Sequence, residues 1–219
     1  MAMTVKLDII SDPVCPWCYI GKTNLDRALE RAGNPFVVEW HPFQLNPDMP
    51  AEGMNRAEYL TAKFGEGYED AYQNVRIQAA QAGLEIDFDG ITRMPNTIDA
   101  HRLIHWAGIE GRQTFVVQRL FEAYFKEHRD ISDHEVLADI ADAVEMDASV
   151  VRRLLESDAD IEDIRSRDAH SREMGVTGVP TFIVGQRHAV PGAQPADLWA
   201  KVITEIMEKE AEEATDDEG

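Results

Sequence analysis

Strand-forming patterns occur only near the two ends of this 219-residue chain. An apolar, β-branched run at residues 5–10 and an alternating run at 36–43 predict two strands near the start. A second pair, at 181–184 and 188–190, is separated by a glycine-containing turn and predicts a hairpin. Because neither two strands nor one hairpin is stable alone, the two ends of the chain must meet in one sheet.

Helical periodicity fills the rest of the chain. One helix is predicted between the first two strands and another at 195–208. Between residues 55 and 174 the pattern predicts helices at 59–82, 96–107, 114–126, 133–144, 148–156 and 161–174. The order predicts an α/β protein with a thioredoxin-like fold (β-α-β … β-β-α) and a large all-α insertion between the second and third strands.

The same order predicts the domain division. We expect a discontinuous thioredoxin-like domain at residues 1–50 and 175–210, with an inserted α-helical domain at 51–174. The last residues, 211–219, are rich in acids and are expected to form a disordered tail.

The charge excludes two classes of partner. The chain has 41 acidic and 21 basic residues and a formal net charge of −20, which repels phosphates and anionic lipids. We therefore expect no nucleic-acid partner and no membrane. No stretch reaches the roughly 18 apolar residues of a membrane span, and the start has no signal-peptide apolar region, so we expect a cytoplasmic protein.

The two cysteines form a Cys-Pro-Trp-Cys sequence at the predicted junction of the first strand and first helix. Pro16 fits the first helical position, which puts Cys15 at the helix N-terminus, where the dipole stabilises a thiolate. Cys18 lies about one turn later, within reach of a mixed disulfide formed on Cys15. The pattern predicts Cys15 as nucleophile and Cys18 as resolving thiol.

Zinc is the competing interpretation of this pair. A structural zinc site needs four ligands, and the chain has no second CxxC or HxxxH cluster to supply the others. We therefore predict no metal. Pro180, just ahead of the third predicted strand, is a weak signal by itself, because an ordinary turn proline explains it equally well.

Four motifs, in this order along the chain, resemble the DsbA family and more narrowly its FrnE-like cytoplasmic branch. They are DPVCPWCYIG at residues 12–21, PFQLNP at 42–47, NTIDAHR at 96–102 and GVPTF at 178–182. The branch is related to 2-hydroxychromene-2-carboxylate isomerase and to kappa-class glutathione transferases. Together the motifs are more specific than a CxxC alone.

The resemblance implies a cis peptide bond at Val179-Pro180, facing the cysteines and offering the Val179 backbone to a substrate. It also implies that the third motif contributes to the cleft wall through three candidate residues, Asn96, Thr97 and His101. For His101 a satisfied core histidine is an equally good interpretation. Pro16 and Trp17 are predicted to contact substrate, although the Trp17 ring fits a protective packing role equally well.

The predicted function is thiol–disulfide exchange on disulfide- or dithiol-containing proteins or small thiols. One alternative is a glutathione-dependent isomerase or transferase; those relatives carry serine where this chain has Cys15, and a Ser-Asp or Asn-Asp pair where it has Ala193-Gln194. The other alternative is a non-catalytic binding module. We expect no resident cofactor, and glutathione stays open as a co-substrate. The direction of exchange and the choice between monomer and homodimer also stay open.

Overall fold

The chain's computed structural model describes residues 4–65 and 67–216. Its N-terminal part contains strand β1 (Val5–Ser11), helix α1 (Pro16–Ala32) and strand β2 (Phe36–Pro42). The helix ends at Gly33, whose φ of 93° suits glycine and whose N–H donates to the Leu29 carbonyl. These elements lie where the sequence predicts them.

The strands from both ends of the chain share one sheet. Strands β5 (Thr181–Val184) and β6 (His188–Pro191) form the predicted hairpin. The sheet order is β2-β1-β5-β6, with β1 parallel to β2 and antiparallel to β5. This confirms the thioredoxin-like arrangement, whereas the domain boundaries at residues 50 and 175 stay predictions.

The region between β2 and β5 is mainly helical. The structure divides the helix predicted at 59–82 into α2 (Arg56–Phe64) and α3 (Tyr68–Gln81), so that prediction is wrong. Gly65 ends α2 with a φ of 81°, a conformation that side-chain-bearing residues avoid. The other helices are α4 (Ile98–Ile109), α5 (Gln113–Phe125), α6 (His134–Ala143), α7 (Ala148–Leu155) and α8 (Ile161–Glu173).

The insertion is not wholly helical. Two-residue strands β3 (Met54–Asn55) and β4 (Arg93–Met94) pair antiparallel. Their sequences are too short to show an alternating pattern, because a strand signal needs about four residues or more. The expectation of an all-α insertion is corrected to this extent.

Aromatic packing holds the insertion against α1. The Tyr19 ring, next to Cys18, stacks on Phe121 and Phe125 with centroid distances of 5.0 and 5.8 Å. Phe125 contacts Phe88 edge-on at 6.2 Å. Such pairs contribute about 1 kcal/mol each beyond the area they bury, so the insertion is fixed beside the start of α1.

Helix α9 (Ala196–Asp216) packs against α1. Its Trp199 is fully buried and meets the Phe182 ring at 4.9 Å. Residues 211–216, predicted as disordered tail, belong to this helix, because alanine and glutamate are strong helix formers. Residues 217–219 lie outside the described residues. No helix in the described part of the chain is long and apolar enough to cross a membrane.

Candidate active site

Cys15 is the N-cap residue of α1. Its backbone is extended (φ −86°, ψ 114°). Pro16 follows in the first turn of the helix, where the N–H that proline lacks would have no partner within the helix. The Cys15 carbonyl accepts hydrogen bonds from the amides of Cys18 (3.1 Å) and Tyr19 (3.3 Å). The first turn carries no acidic residue. The positive end of the helix dipole therefore faces Cys15 without a competing carboxylate.

Both cysteines are free thiols, and both are buried, with 3% of Cys15 and 1% of Cys18 exposed. Burial, a hydrogen bond with Cys15 and the charge of Cys15 raise the pKa of Cys18 well above its ordinary value. The Ser11 side chain and the Asp12 backbone oppose this rise without reversing it. Cys18 therefore stays protonated and serves as the hydrogen-bond partner of Cys15.

The loop before β5 brings a proline to the cysteines. The Val179-Pro180 peptide bond is cis, and the Val179 carbonyl oxygen lies 3.6 Å from the Cys15 sulfur. Gly21 of α1 permits the close approach, because a Cβ there would lie 3.1 Å from the Pro180 side chain and 3.3 Å from Phe182. The structure thus joins Cys15, Cys18, Val179 and Pro180, although 164 residues separate Cys15 from Val179.

A surface groove of about 560 Å³ runs beside this loop. It is lined by residues 174–181 together with Ile183, Ala189, Pro191 and Gly192. Val179 borders the groove and contacts Cys15 through its carbonyl. Pro16 and Trp17 are half-buried at the start of α1, and Trp17 packs against the core. Cys15 itself does not line the groove, so Val179 is the residue that connects the two.

The three candidates from the insertion lie behind the cysteine loop, not on the wall of this groove. Asn96 donates to the Met49 carbonyl at 2.6 Å and accepts from the Ile98 amide at 2.9 Å, at the start of α4. Thr97 is 4% and His101 2% exposed. Asn96 is half-buried. None of the three lines this groove, and their role in substrate binding stays a prediction.

Asp12 is the residue of this region that sequence analysis missed. Its carboxylate is 1% exposed, and it accepts a hydrogen bond from the Leu45 amide at 2.7 Å. Burial, the largest influence, raises the pKa of Asp12 from 3.8 to about 7, although the Leu45, Val14 and Thr97 hydrogen bonds oppose this. The Ser-Asp-Pro sequence at residues 11–13 predicts a turn with an exposed acid. The one sequence signal for a role at the site is the position of Asp12, three residues before Cys15.

Asp168 provides a second buried carboxylate that binds the backbone of the PFQLNP motif, residues 42–47, after β2. The Gln44 amide donates to Asp168 of α8 at 2.9 Å, and the next amide, Leu45, donates to Asp12. Arg172 holds Asp168 with Nε–Oδ2 at 3.0 Å. Two successive N–H groups thus bind carboxylates on opposite sides. The PFQLNP motif therefore connects the cysteine loop to the insertion through hydrogen bonds to both.

Asp8, Glu39 and His41 also bring potential metal-ligating atoms together, on the sheet. Lys6 already bonds Asp8 at 3.0 Å and Glu39 at 2.8 Å. Arg167 donates to His41 Nδ1 at 3.3 Å, which leaves Nε2–H to donate to Asp8 at 2.7 Å. With its carboxylates paired and both imidazole nitrogens engaged, the cluster is an ion-pair network.

Comparison with known proteins identifies the family. A family model described as a DSBA-like thioredoxin domain matches residues 6–204. The uncharacterized protein YwbO of Bacillus subtilis (strain 168) is 30% identical over 209 residues, which are 94% of this chain and 100% of YwbO. The structure of a probable DsbA oxidoreductase from Streptomyces coelicolor is also 30% identical, with a TM-score of 0.83 over 92% of this chain and 89% of that one.

Two more distant structures share the fold. Cytosolic disulfide reductase DsbM from Pseudomonas aeruginosa, also solved with GSH, is 21% identical, with a TM-score of 0.68 over 92% of this chain and 98% of that one. A 2-hydroxychromene-2-carboxylate isomerase is 17% identical, with a TM-score of 0.72 over 94% of this chain and 98% of that one. At these identities the likeness shows the fold alone.

Proposed function

Because the chain belongs to the DsbA-like thioredoxin domain family, we propose that it is a thiol–disulfide oxidoreductase acting through Cys15 and Cys18. The position of Cys15 carries the proposal. Cys15 is the N-cap residue of α1 and is hydrogen-bonded to the protonated Cys18, and its sulfur lies 3.6 Å from the Val179 carbonyl oxygen. A nucleophile, a resolving thiol and a backbone edge for the substrate are the parts that disulfide exchange requires.

The reaction follows from the two different sulfur environments. The Cys15 thiolate attacks one sulfur of a substrate disulfide, and the other substrate sulfur leaves as a thiolate and takes up a proton. Cys18 then gives up its proton and attacks the Cys15 sulfur, which releases the remaining substrate sulfur as a thiolate. Two electrons pass to the substrate, and the enzyme is left with a Cys15–Cys18 disulfide. The reverse sequence oxidises a substrate dithiol.

The substrate class proposed is a disulfide- or dithiol-containing protein or a small thiol compound. An extended chain lying along the groove meets the Val179 backbone first, with Pro180, Pro16 and Trp17 around it. Glycines 175, 178 and 192 leave the groove's backbone accessible. A cytoplasmic location belongs to the same proposal, and the match to a cytosolic reductase supports it.

Glutathione enters as the proposed reductant, because the groove of about 560 Å³ that Val179 lines has room for a small thiol. The direction of net turnover depends on the reduction potential of the Cys15–Cys18 pair relative to that of the compartment. Equilibration with a glutathione redox buffer, followed by mass measurement of both forms, determines this potential. A strongly reducing pair is a reductase, and a weakly reducing pair is an oxidase or isomerase.

A glutathione-dependent isomerase is the second candidate, since an isomerase shares the fold at a TM-score of 0.72. Two residues of this chain oppose it. Cys15 stands where we expect the isomerases to carry serine, and Ala193 with Gln194 stands where they carry a polar-acidic pair. An isomerase of that kind keeps its activity after Cys15→Ser, whereas disulfide exchange ends.

Insulin reduction with dithiothreitol tests the proposal directly. We expect the wild type to accelerate reduction, and Cys15→Ser to fall to the uncatalysed rate. Cys18→Ala retains the nucleophile without the resolving thiol, so it accumulates a mixed disulfide through Cys15 that mass spectrometry detects. The chain has two cysteines, so each variant isolates one sulfur. Equal rates for wild type and Cys15→Ser contradict the assignment.

A further inference from the structure

Asp12 links the cysteine loop to the insertion through both its main chain and its side chain. Its carbonyl accepts from the Cys15 amide at 3.0 Å, and its backbone contacts the Cys18 sulfur. Its carboxylate accepts hydrogen bonds from the Leu45 amide and from the Thr97 hydroxyl of the insertion, with a longer one from the Val14 amide of the cysteine loop. A change in the Asp12 carboxyl group is therefore transmitted to both cysteines through one residue's backbone.

His101 presents a nitrogen without a partner to this carboxyl group. The ring is 2% exposed and shares a hydrogen bond with the Phe43 backbone, which favours the charged ring and therefore involves an N–H donor. The other nitrogen, Nε2, has no hydrogen-bond partner and lies 3.7 Å from Asp12 Oδ1. A proton on Nδ1 leaves a bare lone pair on Nε2, facing a carboxyl oxygen.

Two acceptors facing each other in a buried site repel unless a proton lies between them. Oδ2 of Asp12 accepts from the Leu45 amide at 2.7 Å, whereas Oδ1 accepts only a longer hydrogen bond of 3.5 Å from the Val14 amide, so Oδ1 is the oxygen better placed to carry hydrogen. A movement of about 0.7 Å brings Oδ1–H to hydrogen-bond distance of Nε2. Burial of both side chains favours this neutral pair over an ionised one.

The surrounding charges leave the pair uncompensated. Titratable and charged groups around it are His41 on β2, Tyr124 on α5, and Arg167, Asp168 and Arg172 on α8. Arg172 binds Asp168 and not Asp12, and the charge of Asp168 further raises the pKa of Asp12. Arg167 lowers the pKa of His101. Asp168 raises the pKa of His101 and so opposes Arg167 there, while burial, the largest influence on both pKa values, favours the neutral form of each group.

We propose that Asp12 and His101 hold one proton in a buried Asp12 Oδ1–H···Nε2 His101 hydrogen bond, and that this pair positions the Cys-Pro-Trp-Cys loop on the insertion. Asp12 and His101 are positioning residues, because they reach the reacting sulfurs through the loop backbone. Loss of the proton above neutral pH removes the bond and places a negative charge beneath the loop. The effect on turnover rests on the proposed function; the protonation state does not.

Histidine-ring nitrogen NMR of the labelled protein tests the protonation state without any assay of turnover. At about pH 6, where a free histidine is substantially charged, we expect His101 to be neutral with its proton on Nδ1. The Asp12 carboxyl carbon, assigned by comparison with Asp12→Asn, should titrate near neutral pH. An imidazolium at His101, or a proton on Nε2, overturns the proposal.

The positioning role is tested by the pH profile of insulin reduction. Asn supplies an N–H to His101 and a carbonyl to Leu45, so Asp12→Asn should fold and should lose one inflection near neutral pH that the wild type shows. Glu85→Gln removes a charge from an exposed residue and should keep the inflection. If Asp12→Asn is unfolded, Asp12→Ser, which also removes the titrating carboxyl group, provides the same comparison. An unchanged inflection in a folded Asp12 variant refutes the role.

Inactivity of the wild type toward insulin and other disulfides contradicts the proposed function. The NMR measurement then still determines which of Asp12 and His101 holds the proton. Conversely, an active wild type with a charged His101 keeps the oxidoreductase and removes the proton pair. The two failures are therefore distinguishable.

Discussion

Replacing Asp12 or His101 should change the slope of the free energy of unfolding against pH, and the two replacements should change it in opposite directions. In the folded protein the pKa of Asp12 is raised to about 7 and that of His101 is lowered to about 4, so the pair carries one proton, on Asp12, between these values. In the unfolded chain, with ordinary pKa values of 3.8 and 6.5, the pair also carries one proton, on histidine. The wild-type pair therefore contributes almost no slope between about pH 4 and 6.5.

Asp12→Asn leaves His101 as the titrating group. Its pKa is lowered mainly by burial, which the substitution preserves, so the folded state keeps the neutral ring. The contribution of the neutral His101 ring to the free energy of unfolding is complete above pH 6.5 and is lost as the pH falls toward 4. Each unit of pKa is worth about 1.4 kcal/mol, so relative to the wild type the variant should lose about 3 kcal/mol over this window.

His101→Gln leaves Asp12 as the titrating group. Its pKa is raised by burial, so the folded state favours the neutral acid, and the stability is complete below pH 3.8 and lost as the pH rises through 7. The rise from 3.8 to about 7 corresponds to about 4 kcal/mol, an upper limit because water can penetrate a mutated site. The glutamine carbonyl can still accept a hydrogen bond from Asp12.

Urea unfolding of wild type and variants at several pH values between about 4 and 7 measures these slopes as differences in the free energy of unfolding. His188→Gln, at an exposed histidine, serves as the matched control and should follow the wild type. The double variant Asp12→Asn/His101→Gln should also be parallel to the wild type. Slopes of the same sign in the two single variants refute the reasoning.

Three further changes test the framework around the site. Trp199→Ala removes a fully buried ring from Phe182 and should lower the free energy of unfolding by about 3–5 kcal/mol, measured by urea titration. Arg102→Met should lose about 3 kcal/mol or more in the same measurement, because the buried guanidinium binds the carbonyls of residues 154, 157 and 159; an effect below about 1 kcal/mol contradicts this. Gln113→Ala removes both hydrogen bonds that close the β2 edge at Trp40, so faster amide hydrogen exchange at Trp40 is expected, whereas unchanged protection opposes the interpretation.

The sequence by itself determined the order of the four strands of the main sheet and the position of Cys15 at the start of α1. Apolar alternation predicts β1, β2 and the hairpin, and Pro16 in the first helical position places Cys15 at the start of α1. These features depend on interactions between residues a few positions apart. A glycine break was the local signal that the prediction of one helix at 59–82 passed over, although Gly65 ends α2.

Only the tertiary structure decided which residues meet at the cysteines. Val179 reaches Cys15 across 164 residues of sequence, and resemblance to a family, not periodicity, indicated that contact. Likewise Thr97 and His101 form part of a recognisable motif, but their burial against Asp12 follows from how the insertion packs on the sheet. The protonation of an acid depends on its distance from water and from charge, and long-range packing sets both distances.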